Sequence, residues 1–223
     1  MALARFKDLV INVTDARLMT PFWAAAIGLE ASYQDGGDGV LSGAVPEQRI
    51  WVDQVPEPRT VKQRVHLDLH VSSVAETEAL GARRLSAAGE FPWTVLADPE
   101  GGELCVFVRE TVPDYRLYEV GVDSVEPTPI ARWWADVFGA HLVEDESGFA
   151  SIDQIPGAPF DSMDFAPVPE PKTVKNRIHW DVSAAAVPPL LEAGATLLRA
   201  RDDEISWHVL ADPEGNEFCV FTP

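Results

Sequence analysis

The sequence predicts an α+β protein built as two similar halves, and three observations carry that prediction. The strings LADPEGGELCVF and LADPEGNEFCVF begin at Leu96 and Leu210, 114 residues apart, and differ only at Gly102/Asn216 and Leu104/Phe218. VPEPRTVKQRVHLDL at Val55 returns as VPEPKTVKNRIHWDV at Val168, and PFWAAAIG at Pro21 returns more weakly as RWWADVFG at Arg132. A repeat interval above about 100 residues is too long for a solenoid and marks a duplicated domain. Third, period-2 and helical segments follow one another in the same order in both halves. The 223 residues are enough for two cores, so we expect domains at 1–112 and 113–223, meeting near Pro113.

Each element has a local reason. Phe6 to Val13 alternates and is aliphatic, so it reads as a strand; Pro21 to Leu29 has helical spacing, with Thr14 or Asp15 as cap and Gly28 near its end. Gly36 to Gly39 is a turn signal before two short strands, Val40 to Ala44 and Arg49 to Val55. A second block follows: strand Arg64 to Val71, helix Val74 to Ala88, then strands Trp93 to Leu96 and Glu103 to Val108 around the Asp98-Pro99-Glu100-Gly101 turn. The second half repeats this with strands at Leu117 to Val122, Phe149 to Ile152, Ser162 to Phe165 and Arg177 to Val182, and a helix over Thr128 to Phe138. The chain thus reads as four βαβββ-type modules. The repeats leave open whether modules pair within a half or across the halves.

Composition narrows the function. Apolar residues make up 46% and charged residues 24%, which is ordinary for a folded globular chain. Seventeen Lys and Arg against 36 Asp and Glu give a net charge of −19, a field that repels polyphosphates and anionic lipid, so neither nucleic acid nor membrane is an expected partner. With no apolar run of secretory or bilayer length, a cytoplasmic protein is expected. The two cysteines, Cys105 and Cys219, occupy equivalent strand positions in the two halves and are expected to be reduced and unpaired. Glycine-rich phosphate loops, serine nucleophile elbows, CxxC pairs and HExxH are absent from the sequence.

The module order, the His-x-Asp strand after a Pro-Glu-Pro loop and the Asp-Pro-Glu-Gly turn into a last strand resemble the vicinal oxygen chelate superfamily. LADPEGNEFCVF and VKNRIHWDV resemble more narrowly its glyoxalase-like domain family. The resemblance implies tandem glyoxalase/bleomycin-resistance/dioxygenase-type domains, each of two modules forming a curved mixed sheet around a cleft, with metal ligands on the first and last strands of the modules. Strand parity then selects the residues that can face a cleft. Leu9, Ile11 and Val13 pack, leaving Asp8, Val10 and Asn12; Val65, Leu67, Leu69 and Val71 pack, leaving Arg64, His66, Asp68 and His70; Leu104, Val106 and Val108 pack, leaving Glu103, Cys105 and Phe107.

Carried over by motif, the metal candidates are Asp8, His66 and Cys105 in the first half and Glu119, His179 and Cys219 in the second, of which only the histidines match the family pattern. The fourth position falls on Asp53 in the first half and Ala166 in the second. Residues two apart on a strand are roughly 6.6 Å apart by rise, so His66 and Asp68 are not expected to share an ion. The expected ligand-binding residues are Arg64, His66, Asp68, Glu103, Arg177, His179, Asp181, Glu217 and Trp51, with Trp93 or Trp207 as further cleft walls. Each also has a structural alternative. His66 and His179 could be wall residues bonded to Glu103 and Glu217, and Arg64 and Arg177 could clamp a ligand carboxylate or neutralise Asp68 and Asp181.

Two functions follow from the resemblance. The first is a small-molecule-binding protein of the bleomycin-resistance kind with degenerate metal sites and no bound cofactor, acting as a monomer or homodimer. The alternative is an enzyme, a lyase or isomerase dependent on a divalent metal (Zn, Ni, Mn or Fe). Extradiol dioxygenase chemistry is the least expected, because that site wants two His and a carboxylate.

Overall fold

The computed structural model of the protein describes residues 2–144, 146 and 148–223. In chain order the first half contains β1 (Ala4–Val13), α1 (Ala16–Ile27), β2 (Glu30–Tyr33), β3 (Gly39–Ser42), β4 (Ile50–Gln54), β5 (Val65–Val71), α2 (Val74–Ala79), β6 (Arg83–Arg84), β7 (Thr94–Ala97) and β8 (Glu103–Val108). The second half repeats the order as β9 (Leu117–Ser124), α3 (Pro127–Phe138), β10 (His141–Glu144), β11 (Ala150–Asp153), β12 (Ser162–Pro167), β13 (Ile178–Ala184), α4 (Pro188–Glu192), β14 (Thr196–Arg199), β15 (His208–Ala211) and β16 (Glu217–Phe221). The α+β class and the four-module reading hold.

The modules pair across the halves. One eight-stranded sheet, here the first sheet, runs β14-β15-β16-β13-β1-β4-β3-β2; the second runs β10-β11-β12-β9-β5-β8-β7-β6. Each sheet is therefore built of two modules, as expected, but draws one from each half through an antiparallel central pair, β1 with β13 or β5 with β9. Two guanidinium ties reinforce the exchange. Arg64 donates to the Glu170 carbonyl at 2.6 Å and Arg177 to the Glu57 carbonyl at 2.8 Å, so each His-x-Asp strand grips the other half's Pro-Glu-Pro loop.

Parity sorted the faces correctly. Leu9, Ile11, Val13, Leu67, Leu69, Leu104 and Val106 join the buried core under the helices, together with Trp23, Trp134 and Trp180. Val108 departs from the pattern and is 52% exposed, because it is the last residue of its strand. The helix predicted from Pro21 starts five residues earlier, at Ala16: the Asp15 carboxylate accepts the Arg17 and Leu18 N–H groups at 3.0 Å, and Pro21 lies on the exposed face. The helix predicted from Val74 to Ala88 stops at Ala79, where Gly81, at φ +112°, turns the chain into β6.

The Asp-Pro-Glu-Gly turns do more than reverse the chain. Asp98 accepts the Glu100 and Gly102 N–H groups and shapes the turn, while the Glu100 carboxylate reaches back to the Thr14 and Asp15 N–H groups at 2.6 to 2.9 Å, at the entry to α1. Glu214 does the same at α3, accepting from Ser124 Oγ, Val125 N and Glu126 N. Each turn thus ties the last strand of a module in one sheet to the first helix of the same half, whose module belongs to the other sheet. Charge-assisted bonds of this kind contribute about 1.5 to 3 kcal/mol. Glu214→Ala is accordingly expected to lower the unfolding free energy by about 2 kcal/mol in a urea titration, and no loss would show the clamp to be ornamental. Among the described residues no helix is long and apolar enough to cross a membrane.

Candidate metal and ligand clefts

The cross-half pairing regroups the candidates. Asp8 is paired with Asp181 and belongs with His179 and Cys219, whereas Glu119 is paired with Asp68 and belongs with His66 and Cys105. The grouping by half, Asp8 with His66 and Glu119 with His179, is corrected: a motif repeat says which modules are alike, not which ones touch.

On the cleft face of the second sheet, strand register places Cys105, Asp68, Glu119 and Ser162 in one row, and His66, Gly121 and Asp164 in the next. The first sheet has Cys219, Asp181 and Asp8 in one row, and His179, Val10 and Trp51 in the next. The fourth family position is therefore Trp51 in one sheet and Asp164 in the other, one pleat away from the expected Asp53 and Ala166, which pair with Asn12 and Asp123.

Ligand-capable atoms of His66, Asp68 and Cys105 lie within 4.8 Å of one another, as do those of His179, Asp181 and Cys219. His66 Nε2 is 3.3 Å from Asp68 Oδ1, so residues two apart do converge here, against the expectation from strand rise, which fixes backbone spacing and not where side chains meet. Burial lowers His66 to about 4 and His179 to about 3, keeping both rings neutral at pH 7. Burial also raises Asp68 well above the usual carboxylate range, helped by the negative charges of Glu119 and Asp164, and raises Glu119. Both thiols are pushed up by burial and by the neighbouring Asp68 or Asp181, and both cysteines are free and buried.

Two β-bulges complete the clefts. Between Phe6 and Asp8 the extra residue is Lys7, and between Glu119 and Leu117 it is Tyr118. Lys7 pairs with Asp8 and lies over the Phe221 ring, and Trp51 Nε1 donates to the same Asp8 carboxylate at 3.3 Å. Tyr118 instead bonds to Glu119 at 3.4 Å, stacks on His70 and meets Phe107 edge-on, and Phe107 continues through Trp93 to Phe91. Neither bulge residue was found from sequence, because a bulge breaks the alternation on which parity rests.

The remaining candidates have other partners. Glu103 accepts the Gln63 N–H and lies 3.6 Å from Arg59; Glu217 accepts the Asn176 N–H and pairs with Lys172. They do not bond the histidines; their carboxylates are engaged instead by the backbone and cations of the preceding loops. Arg64 and Arg177 bond loop carbonyls, as described, with Arg64 also donating to the Asp123 carbonyl; these bonds involve neither Asp68 nor Asp181.

A glyoxalase-like domain model matches residues 8–107 and again 119–221. The chain belongs to the glyoxalase-like domain family. Among solved structures, glyoxalase I from Zea mays superposes with a TM-score of 0.71 at 12% identity, covering 98% of this chain and 92% of that one. A candidate dioxygenase from Bacillus subtilis gives 0.63 at 16% identity over 100% and 86%, and the CppA protein from Streptococcus pneumoniae 0.54 at 12% over 100% and 99%. At such identities the likeness is one of fold. No functionally curated protein matches the chain.

The second sheet of this glyoxalase-like protein fits a divalent cation. Asp68 Oδ1 is buried without a hydrogen bond, and a Cβ at Gly121 would overlap the His66 imidazole, so the glycine leaves the ring its place. The first sheet also has orphaned atoms, His179 Nδ1 and Asp181 Oδ1, but it carries Lys7 where the second has Tyr118, and Trp51 where the second has Asp164.

Proposed function

We propose that the protein is a small-molecule-binding member of its family in which the two clefts have diverged. The second-sheet cleft holds one divalent cation on His66, Asp68 and Glu119, with Asp164 and Cys105 completing the donor set, and receives an organic ligand with vicinal oxygens. The first-sheet cleft binds its ligand without a metal. The observation that carries this reading is the row-by-row comparison: one cleft gathers three carboxylates around a neutral imidazole, while the other substitutes an ammonium and an indole. Like charges buried together favour a cation, whereas Lys7 already compensates Asp8 and would repel one.

The Phe91–Trp93–Phe107–Tyr118 series offers planar apolar surface beside the candidate cation site, which suits a ligand with an aromatic or unsaturated body. In the first-sheet cleft, Trp51, Trp207 and Phe221 supply the corresponding wall, and Lys7 offers a positive charge to an anionic group.

A second reading, a lyase or isomerase, is favoured by Glu119. Its carboxylate is oriented by the Ser162 and Tyr118 hydroxyls, and its raised pKa makes it a stronger base toward a carbon acid. A bound divalent cation (Zn, Ni, Mn or Fe) would supply polarisation of a ligand carbonyl. Extradiol oxygenation remains the poorest fit, since the donor set contains a single histidine.

The reading is tested by thermal unfolding of chelator-treated protein with added ZnCl2 or MnCl2. At a hundredfold excess over Kd a cation bound only to the folded state adds about 2.7 kcal/mol, or about 5 to 10 °C for a chain of this size. The shift should persist in Asp8→Asn and vanish in Glu119→Gln; the reverse pattern would refute the assignment.

A further inference from the structure

A cavity of about 960 Å³ lies between the two Pro-Glu-Pro loops, apart from the cation candidates of either cleft. Its walls come from both halves in matching sets, the Val55–Arg64 segment facing the Val168–Arg177 segment, with Asn12 and Asp123 at the ends of β1 and β9. The volume lies at the upper end of the range of small-molecule sites.

The charge of this cavity opposes that of the chain. It is lined by five of the 17 Lys and Arg residues, Arg59, Lys62, Arg64, Lys175 and Arg177, but by only three of the 36 Asp and Glu. Asp123 is engaged by Lys62. Unpaired donors point the same way: Arg64 Nε and Arg177 Nη2 are buried without a hydrogen-bond partner. Between the cations the walls are apolar, with Val61 and Val174 among the exposed hydrophobic residues of the chain. A guanidinium donor left without a partner gains a charge-assisted bond by turning to a bound acceptor, and guanidinium groups match the geometry of carboxylate and phosphate.

We propose that this inter-loop cavity is a binding site for an amphipathic organic anion, a carboxylate or phosphate ester with an aliphatic body, held at its charged end by Arg64 and Arg177. A ligand here bridges both halves and both sheets, and its acidic group enters an electropositive pocket of an otherwise strongly acidic protein.

Calorimetric titration of chelator-treated protein with decanoate, decyl phosphate and decyltrimethylammonium tests the proposal independently of any cation in the second-sheet cleft. Saturable binding of one molecule of either anion per chain is expected, with the cationic probe at least about tenfold weaker, and the preferred anion identifies the headgroup class. The double variant Arg64→Gln/Arg177→Gln should weaken the anion at least about tenfold. Because those side chains also tie the loops, a second variant, Val61→Trp/Val174→Trp, narrows the cavity while keeping both ties and should weaken binding. Absence of saturable anion binding in the millimolar range, equal binding of the cationic probe, or undiminished binding in the folded tryptophan variant would overturn the proposal.

Discussion

Replacing Asp181 by Asn is expected to stabilise the metal-free protein by up to about 4 kcal/mol at pH 8 and to change little at pH 4. The carboxyl of Asp181 is buried, and burial first, then the charges of Asp8 and Asp53, raises it from 3.8 to about 7 against the opposing influence of Lys7. A carboxyl raised on folding is bound to its proton more tightly in the native state than in the unfolded one. Its contribution is therefore fully present below the unfolded value and is lost as pH rises through the native value, at about 1.4 kcal/mol per pH unit. Between pH 4 and 7 the wild-type chain should lose this stability and the Asn variant should not. Urea titrations at both ends of that window decide the matter: an equal effect at pH 4 and pH 8 would mean that Asp181 does not titrate in the range.

Gly121→Ala is expected to strip the second-sheet cleft of its cation. The new methyl group would occupy space now filled by the His66 ring, so the imidazole must leave its position over Gly121 and beside Asp68. Overpacking of this kind costs about 1 to 3 kcal/mol, and a misplaced ligand lowers metal affinity by about 10- to 100-fold. The matching position in the first sheet is Val10, opposite His179, where an alkyl side chain is already present. Val10→Ala should therefore leave cation binding unchanged. Spectroscopic titration with Co²⁺ compares the two variants directly, and equal affinities would remove Gly121 from the account.

The residues that were legible in the sequence are those whose signal is local. The duplicated strings located the modules, alternation placed His66, Asp68, Cys105 and their counterparts on one face, and Trp51 does stand on the cleft face beside Asp8. Three kinds of information were out of reach. Pairing across the halves depends on contacts between segments more than 100 residues apart, such as Arg64 with Glu170 and Arg177 with Glu57, and the repeats are indifferent to it. Lys7 and Tyr118 enter the clefts through bulges, which insert one residue into a pattern that assumes period 2. Glu100 and Glu214 look like turn residues because their partners, Thr14 and Ser124 among them, are far away in sequence. The divergence of the clefts follows from the first two: only when Asp164 is set beside Gly121 and His66, and Lys7 beside Asp8, does one site read as acidic and the other as self-neutralised.

The most direct measurement is the number of divalent cations per chain, counted by elemental analysis after chelator treatment, reloading with Zn²⁺ or Mn²⁺ and removal of excess. The divergent-cleft account predicts one, lost in Asp68→Asn and in Glu119→Gln and retained in Asp181→Asn. Two cations per chain, none, or a single cation lost in Asp181→Asn and kept in the other two variants would contradict it.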